Sequence, residues 1–361
     1  MTTTGATLDN PIRAALKQGQ SIWFDGLVLR SEFEKMIRED GVRGATTNPT
    51  IFEKEISGNS DDAELKKFIQ THTAEEVFKK IAVKAVGELA DVFRPVYDES
   101  KGLDGYVSIE VNPLFANDTE ATLREARELH KLVNRPNVMV KVPATKEGIP
   151  AIETLISEGI SINVTLIFSI ARYREVMEAY LSGLEKRSAK GLPVSGIASV
   201  ASFFVSRVDT AVDKELEAKN LKSLQGKAAI ANSKLAYREF ERVFRAPRFE
   251  KLSAKGARVQ RPLWASTGTK NPAYSDVLYV DSLIGPDTVN TLPPATYAAF
   301  RDHGSAAPSI KTGVAEADKF LQDLEKAGIS LDAVTLGLEK AGVELFSDSH
   351  RKILQHIGAR K

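Results

Sequence analysis

The sequence predicts an α/β chain folded as a (β/α)₈ TIM barrel with additional C-terminal helices, and three observations carry the prediction. Short apolar stretches alternate with amphipathic helical ones over most of the 361 residues. Eight of the short stretches read as strands that are apolar on both faces, as parallel strands covered by helices must be. The GxGxxG loop that opens a doubly wound nucleotide-binding sheet is absent, which favours a closed barrel.

The strands are expected at SIWFDGL (21–27), GVRGATTNP (41–49), GYVSIEVNP (105–113) and NVMVKVPA (137–144), then SINVTLIFS (161–169), GIASVASFFV (196–205), RPLWAST (261–267) and TVNTLPPA (288–295). Helices fall between them. SEFEKMIRED begins with a Ser31/Glu34 capping box, and the long TAEEVFKKIAVKAVGELADVF and DTEATLREARELHKLV follow. SGNSDDAE (57–64) reads as a loop. From Lys311 onward KTGVAEADKFLQDLEKAG and LDAVTLGLEKAGVELFSDSHRKILQHI are helical, with no strand left to pair them. Length alone allows two domains, but α/β barrels run long as one. The expectation is a single domain over 1–361, with 311–361 as a helical appendage packed on the barrel.

Composition narrows the chemistry. Hydrophobic residues make up 42% and the formal net charge is +1, so no global field draws the chain to nucleic acid or membrane, and an anion site must be local. The N-terminus lacks the apolar core of a secretory signal and no run is long enough to span a bilayer, which makes the expected location cytoplasmic. There are no cysteines, so disulfides, thiolate nucleophiles and cysteine zinc sites are excluded. His72, His130, His350 and His356 lie in helical patterns and His303 in a loop, without the company of a metal site or triad, and each reads as a surface histidine. Lysine and carboxylates are left to act as nucleophile, acid and base, with no metal or cofactor expected.

In a barrel of this kind catalytic groups sit at the C-terminal ends of the strands. Asp25, Asn48, Glu110 with Asn112, Lys141, Asn163 with Thr165, and Ser202 stand there on the first six strands. Asn163 and Thr165 are two apart and share a face, as do Ser202 and Phe204. Singly, Asp25 and Asn48 fit a turn or helix cap, and Lys141 and Glu110 fit a structural ion pair. Asn163-Val-Thr165 also matches a glycosylation sequon, accidental in a buried strand. Polar groups at six successive strand ends are harder to assign to caps alone. An amine in an apolar wall has its charged form disfavoured, which leaves part of it free to attack a ketone. Glu110 could then assist loss of water from the carbinolamine, through a water held by Thr165. Asp25 could take the proton that lets a carbon–carbon bond break, while Asn48, Asn163 and Ser202 hold hydroxyls of a three-carbon ketose unit.

TTNPTIF (46–52), VSIEVNP (107–113), VMVKVPAT (138–145), INVTLIFS (162–169) and SFFVSRVD (202–209), in this order, closely resemble the transaldolase family of class I aldolases in its longer bacterial branch. The resemblance runs from Ile22 to Thr296. It implies transfer of a dihydroxyacetone unit between sugar phosphates in the pentose phosphate pathway. Lys141 would be the Schiff-base lysine, Asp25 and Glu110 the acid–base pair, Thr165 the water holder, and Asn48, Asn163 and Ser202 the hydroxyl ligands, with Arg207 on a phosphate. The chain departs from the pattern where many members read SPFVGR against SFFVSR here, and where a second arginine follows the seventh strand. WASTGTKN offers Lys270 there, either as the replacement or as an exposed loop lysine. The rival readings are an aldolase releasing free dihydroxyacetone, whose short members carry glutamine where Glu110 stands, and a non-catalytic sugar-phosphate-sensing barrel. Monomer and homodimer are both open.

Overall fold

The computed structural model describes residues 10–52 and 63–360, the side chains of 63–66 excepted. Eight parallel strands close into one barrel in sequence order: β1 (Gln20–Asp25), β2 (Ala45–Thr46), β3 (Val107–Glu110), β4 (Val138–Pro143), β5 (Ile162–Ile167), β6 (Ser199–Phe204), β7 (Arg261–Ala265) and β8 (Thr288–Leu292). β8 returns to β1 with Gln20 abreast of Thr288, which completes the ladder and leaves no edge strand.

Every strand lies inside its predicted stretch or within one residue of it, and all are shorter than expected. β2 is the extreme case. Val42 to Gly44 run beside β1, with Arg43 donating to Ile22 and Gly44 accepting from Phe24, but only Ala45 and Thr46 enter the ladder before Pro49 ends it. The Ser31/Glu34 capping box does not form. That helix starts one residue earlier, at Arg30, with Leu29 as an uncapped N-terminus, and Glu34 pairs instead with Arg30 one turn back at 2.8 Å. The box is built at Thr73 and Glu76, where it opens the long helix Ala74–Glu99. The SGNSDDAE loop lies mainly outside the described residues, and Ala63 already begins a helix. His303 is the last residue of the helix Pro294–His303 rather than part of a loop, and His72 falls just past the helix Ala63–Thr71, stacked on Phe68.

The two last helices are Val314–Lys326 and Leu331–Gly358. The final one packs against the long helix after β2, the helix Ser206–Ala218 after β6, and the end of β5. It therefore crosses the C-terminal mouth of the barrel. Gly342 permits the close approach, since a Cβ there would stand 2.9 Å from Leu166 Cδ2.

The opposite, N-terminal end is closed by a buried ion pair. Arg261, opening β7, meets Asp104 at 2.9 Å, with side chains 7% and 3% exposed. Ser21 donates to the same carboxylate at 2.8 Å and Arg261 donates to Ser21, so β1, β7 and the approach to β3 are tied together. Removing one partner of such a pair leaves a buried charge uncompensated and costs roughly 3–5 kcal/mol. Asp104→Ala should lower the urea midpoint accordingly, while the Asp104→Asn, Arg261→Met double variant should lie closer to wild type. Turnover of folded protein should be unchanged in both, because the cluster sits at the far end from the strand tips that bear Lys141 and Asp25. Denaturation curves with activity measured on the same samples would check both statements.

Candidate active site

Ladder register decides which polar side chains meet. Glu110 of β3, Lys141 of β4 and Asn163 of β5 are Cα partners in succession, so all three side chains point to one face at one level. Asn163 is abreast of Val200, and Ser202 lies two residues further along β6 on that same face. Its hydroxyl donates to Asn163 Oδ1 at 2.7 Å, while Asn163 Nδ2 donates to Ser108 Oγ at 3.1 Å. The amide is thereby held in one orientation.

Lys141 is 6% exposed. Its Nζ donates to the Thr47 carbonyl at 2.8 Å and stands 3.8 Å from Glu110 Oε2. On the other side of the mouth, Asp25 is abreast of Thr46, which donates to Asp25 Oδ1 at 2.6 Å. Thr46 has a single hydroxyl proton, so the 2.7 Å contact with Thr291 must be donated by Thr291, and the chain Thr291–Thr46–Asp25 fixes the carboxylate. Burial pushes the pKa of Asp25 above the ordinary carboxylate value against the opposing charge of Lys141. Burial also raises that of Glu110; Lys141 opposes the rise and Asp25 adds to it.

The strand tips open into a cavity of about 440 Å³ lined by Asp25, Asn48, Lys141, Thr165, Ser202, Phe204, Arg207 and Lys270, among others. Asn163 and Glu110 lie in its wall behind Ser202 and Lys141 rather than on its surface. Asn48 also performs the capping role its position suggested, accepting from Ile51 N at 3.1 Å. Asn112 stays out of the cavity: it caps the turn Pro113–Phe115 and donates to Glu75. Thr165 Oγ1 is buried and has no protein partner, so a polar group there needs a bound one. Arg207 sits with its guanidinium 5.4 Å from the Phe204 ring, and its pKa is drawn down by burial alone, without an offsetting carboxylate. Lys270 is exposed at the rim of the same cavity. Among the described residues no group of three or more His, Cys, Asp or Glu side chains gathers in a way that could hold a metal.

A backbone irregularity lies beside Thr165. The β5–β6 register slips between Val164 and Ile167, and Leu166 takes φ 58°, a left-handed conformation that costs a branched residue roughly 1–3 kcal/mol. Regular β5–β6 pairing stops at Val164 and resumes at Ile167, so Thr165 and Leu166 lie within the irregularity, with Leu166 facing Gly342 of the final helix.

The final helix supplies what sequence reasoning missed. Leu345 and Phe346 line the cavity, and Ser349 meets Thr50 at 3.0 Å across the mouth. His350 is 1% exposed, which corrects the expectation of a surface histidine; its Nε2 lies 3.1 Å from Glu75 Oε1. Thr46 and Thr291 were also missed, although Thr46 stands inside the quoted TTNPTIF stretch.

Comparison with known proteins agrees with this arrangement. The family model "Transaldolase/Fructose-6-phosphate aldolase" matches residues 22–357, and so includes the final helix. A transaldolase of Saccharopolyspora erythraea is 46% identical over 97% of this chain and 98% of its own length. Transaldolase 1 of Streptomyces avermitilis is 47% identical over 99% of this chain and 97% of its own. Transaldolase 2 of Streptomyces coelicolor is 48% identical over 95% of each. With a closed barrel, a buried lysine between strand-end carboxylates and relatives of this extent, the chain belongs to the transaldolase/fructose-6-phosphate aldolase family.

Proposed function

We propose that the chain acts as a transaldolase. It moves a dihydroxyacetone unit from sedoheptulose 7-phosphate or fructose 6-phosphate to glyceraldehyde 3-phosphate or erythrose 4-phosphate, through a Schiff base on Lys141, as a single-domain cytoplasmic enzyme. The observation that carries the reading is the placement of Lys141, buried at the cavity wall with Glu110 3.8 Å away and Asp25 in the same cavity lining.

The free amine of Lys141 adds to the ketone carbonyl, and the carbinolamine loses hydroxide as water when Glu110 supplies a proton through a water held by Thr165. Burial raises the pKa of Glu110 above the ordinary carboxylate value, which favours the protonated form that this step uses. The iminium then takes up the electron pair of the adjacent carbon–carbon bond as Asp25 removes the hydroxyl proton of the departing aldose. The remaining enamine adds to the incoming aldehyde, Asp25 returns the proton, and hydrolysis reverses the first step. Asn48, Asn163 and Ser202 hold the hydroxyls of the three-carbon unit, and Phe204 walls it. Arg207 and Lys270 bind phosphate at the rim.

A coupled assay with fructose 6-phosphate and erythrose 4-phosphate separates transfer from simple cleavage; dihydroxyacetone released without acceptor at the same rate would overturn the proposal. Borohydride added with donor should leave a reduced three-carbon adduct on Lys141. Asp25→Asn should still form that adduct but release the aldose roughly 10² to 10⁴ times more slowly, whereas Glu110→Gln should slow adduct formation itself. An adduct on another lysine, or normal turnover in both variants, would refute these roles.

For the phosphate, a charge-assisted contact is worth roughly 1.5–3 kcal/mol. Arg207→Ala should therefore weaken use of fructose 6-phosphate roughly ten- to a hundred-fold while leaving unphosphorylated fructose almost unchanged. Lys270→Ala should show the same selectivity and Lys270→Arg should keep or improve binding. Kinetic constants for both sugars decide, and an unaffected Lys270→Ala would return that residue to the loop surface.

A further inference from the structure

A second cavity, of about 30 Å³, is lined by Glu110, Asn48, Asn112, Glu75 and His350. No step of the proposed reaction uses Glu75 or His350. Their geometry is specific. His350 Nε2 lies 3.1 and 3.2 Å from the two carboxylate oxygens of Glu75, and Asn112 Nδ2 donates to the same group at 3.1 Å. The His350 hydrogen bond holds the Glu75 pKa below its ordinary value, and an ionised carboxylate can only accept, so this contact places a proton on His350 Nε2. The remaining ring nitrogen, Nδ1, is buried without a hydrogen-bond partner, and so is Glu110 Oε2, whose nearest cation is Lys141 Nζ at 3.8 Å. Two buried polar atoms without hydrogen bonds, on side chains that line one small cavity, are costly unless something joins them. The volume admits a water, and a water placed there can accept from a protonated Glu110 and donate to Nδ1.

We infer that His350, fixed by Glu75, is a positioning residue for Glu110: through a water in this cavity its Nδ1 sets the orientation and the proton of the Glu110 carboxyl. The inference rests on the reading of Glu110 as the acid of Schiff-base formation. Glu125, which accepts from Asn112 N at 2.6 Å, and Lys79, which donates to Glu128 at 2.8 Å and lies 3.8 Å from Glu125, are the other charged groups on the cavity wall, and each has its own partner.

The alternative is that His350 merely ties the final helix to Glu75. Two amide substitutions separate the roles, because an asparagine amide reaches the position of Nδ1 and a glutamine amide that of Nε2. The readout is the single-turnover rate of borohydride-trapped adduct on Lys141, with denaturation midpoints measured in parallel. His350→Gln should slow trapping roughly ten- to a hundred-fold, the loss expected for a hydrogen bond to an ionisable group, and His350→Asn should recover most of it. The KM for donor should hold in both. In an E110Q background His350→Gln should add no further slowing, since a group acting through Glu110 has nothing left to act on. The opposite ranking, with glutamine restoring the rate and asparagine not, would identify a tether and overturn the inference. Equal slowing in both backgrounds would do the same. If E110Q alone trapped donor at the wild-type rate, the acid role of Glu110 would fall and this inference with it; His350 variants that left the rate unchanged while E110Q slowed it would remove the inference only.

Discussion

The burial of one amine beside one carboxylate, Lys141 Nζ at 3.8 Å from Glu110 Oε2, is the constraint on which the rest of the mouth depends. Unit charges at about 4 Å attract by on the order of 4 kcal/mol at an effective dielectric near 20. Desolvating each ion costs several kcal/mol, so the pair does not stabilise the barrel on balance. Asp25 brings a second carboxyl into the same region, and three ionised groups would leave an excess negative charge buried. Burial raises the pKa values of both carboxyls, each partly restrained by the lysine, and Asp25 adds to the rise at Glu110. One amine and two reluctant carboxyls are a poor core and a serviceable acid–base system.

Holding such a system requires a scaffold that does not relax around it. The Thr47 carbonyl fixes the amine, the Thr291–Thr46 hydroxyl chain fixes Asp25, and Ser202 and Ser108 fix the Asn163 amide. Each of these partners lies on a strand or directly follows one, so the positions are set by ladder register rather than by loops. The strained Leu166 beside Thr165 is the one place where the ladder yields. That strain is tolerated because Leu166 is buried between β5 and the final helix, where packing over-determines it.

This division explains what could be read in advance. The eight strands and their order were legible because burial on both faces leaves an unbroken apolar run, and polar residues that interrupt it near the C-terminal end are conspicuous. Lys141 in VMVKVPA is the clearest case. Strand ends were less legible, since β2 contributes only Ala45 and Thr46 to the ladder while its backbone bonds begin earlier. The Ser31/Glu34 spacing matched a capping box that Arg30 pre-empts by pairing with Glu34. Leu345 and Phe346 could not be placed, and His350 was read as a surface residue, because amphipathic spacing gives a helix a buried face without saying what it is buried against.

The final helix therefore changes how the site should be understood. Helices that follow the last strand of a barrel can be added without altering the strand tips, and spacing alone would count this one as such an addition. Its close approach at Gly342, its Leu345 and Phe346 in the substrate cavity, and the contact of Ser349 with Thr50 make it one wall of the mouth instead. The strands set the backbone positions of Lys141, Asp25 and Glu110, while one wall of the cavity and, at His350, part of the surroundings of the Glu110 side chain come from a segment more than a hundred residues away from the lysine in sequence. Strand tips and cavity wall are therefore encoded in different parts of the chain, and His350 is the point at which the final helix reaches the strand-borne carboxyl group of Glu110.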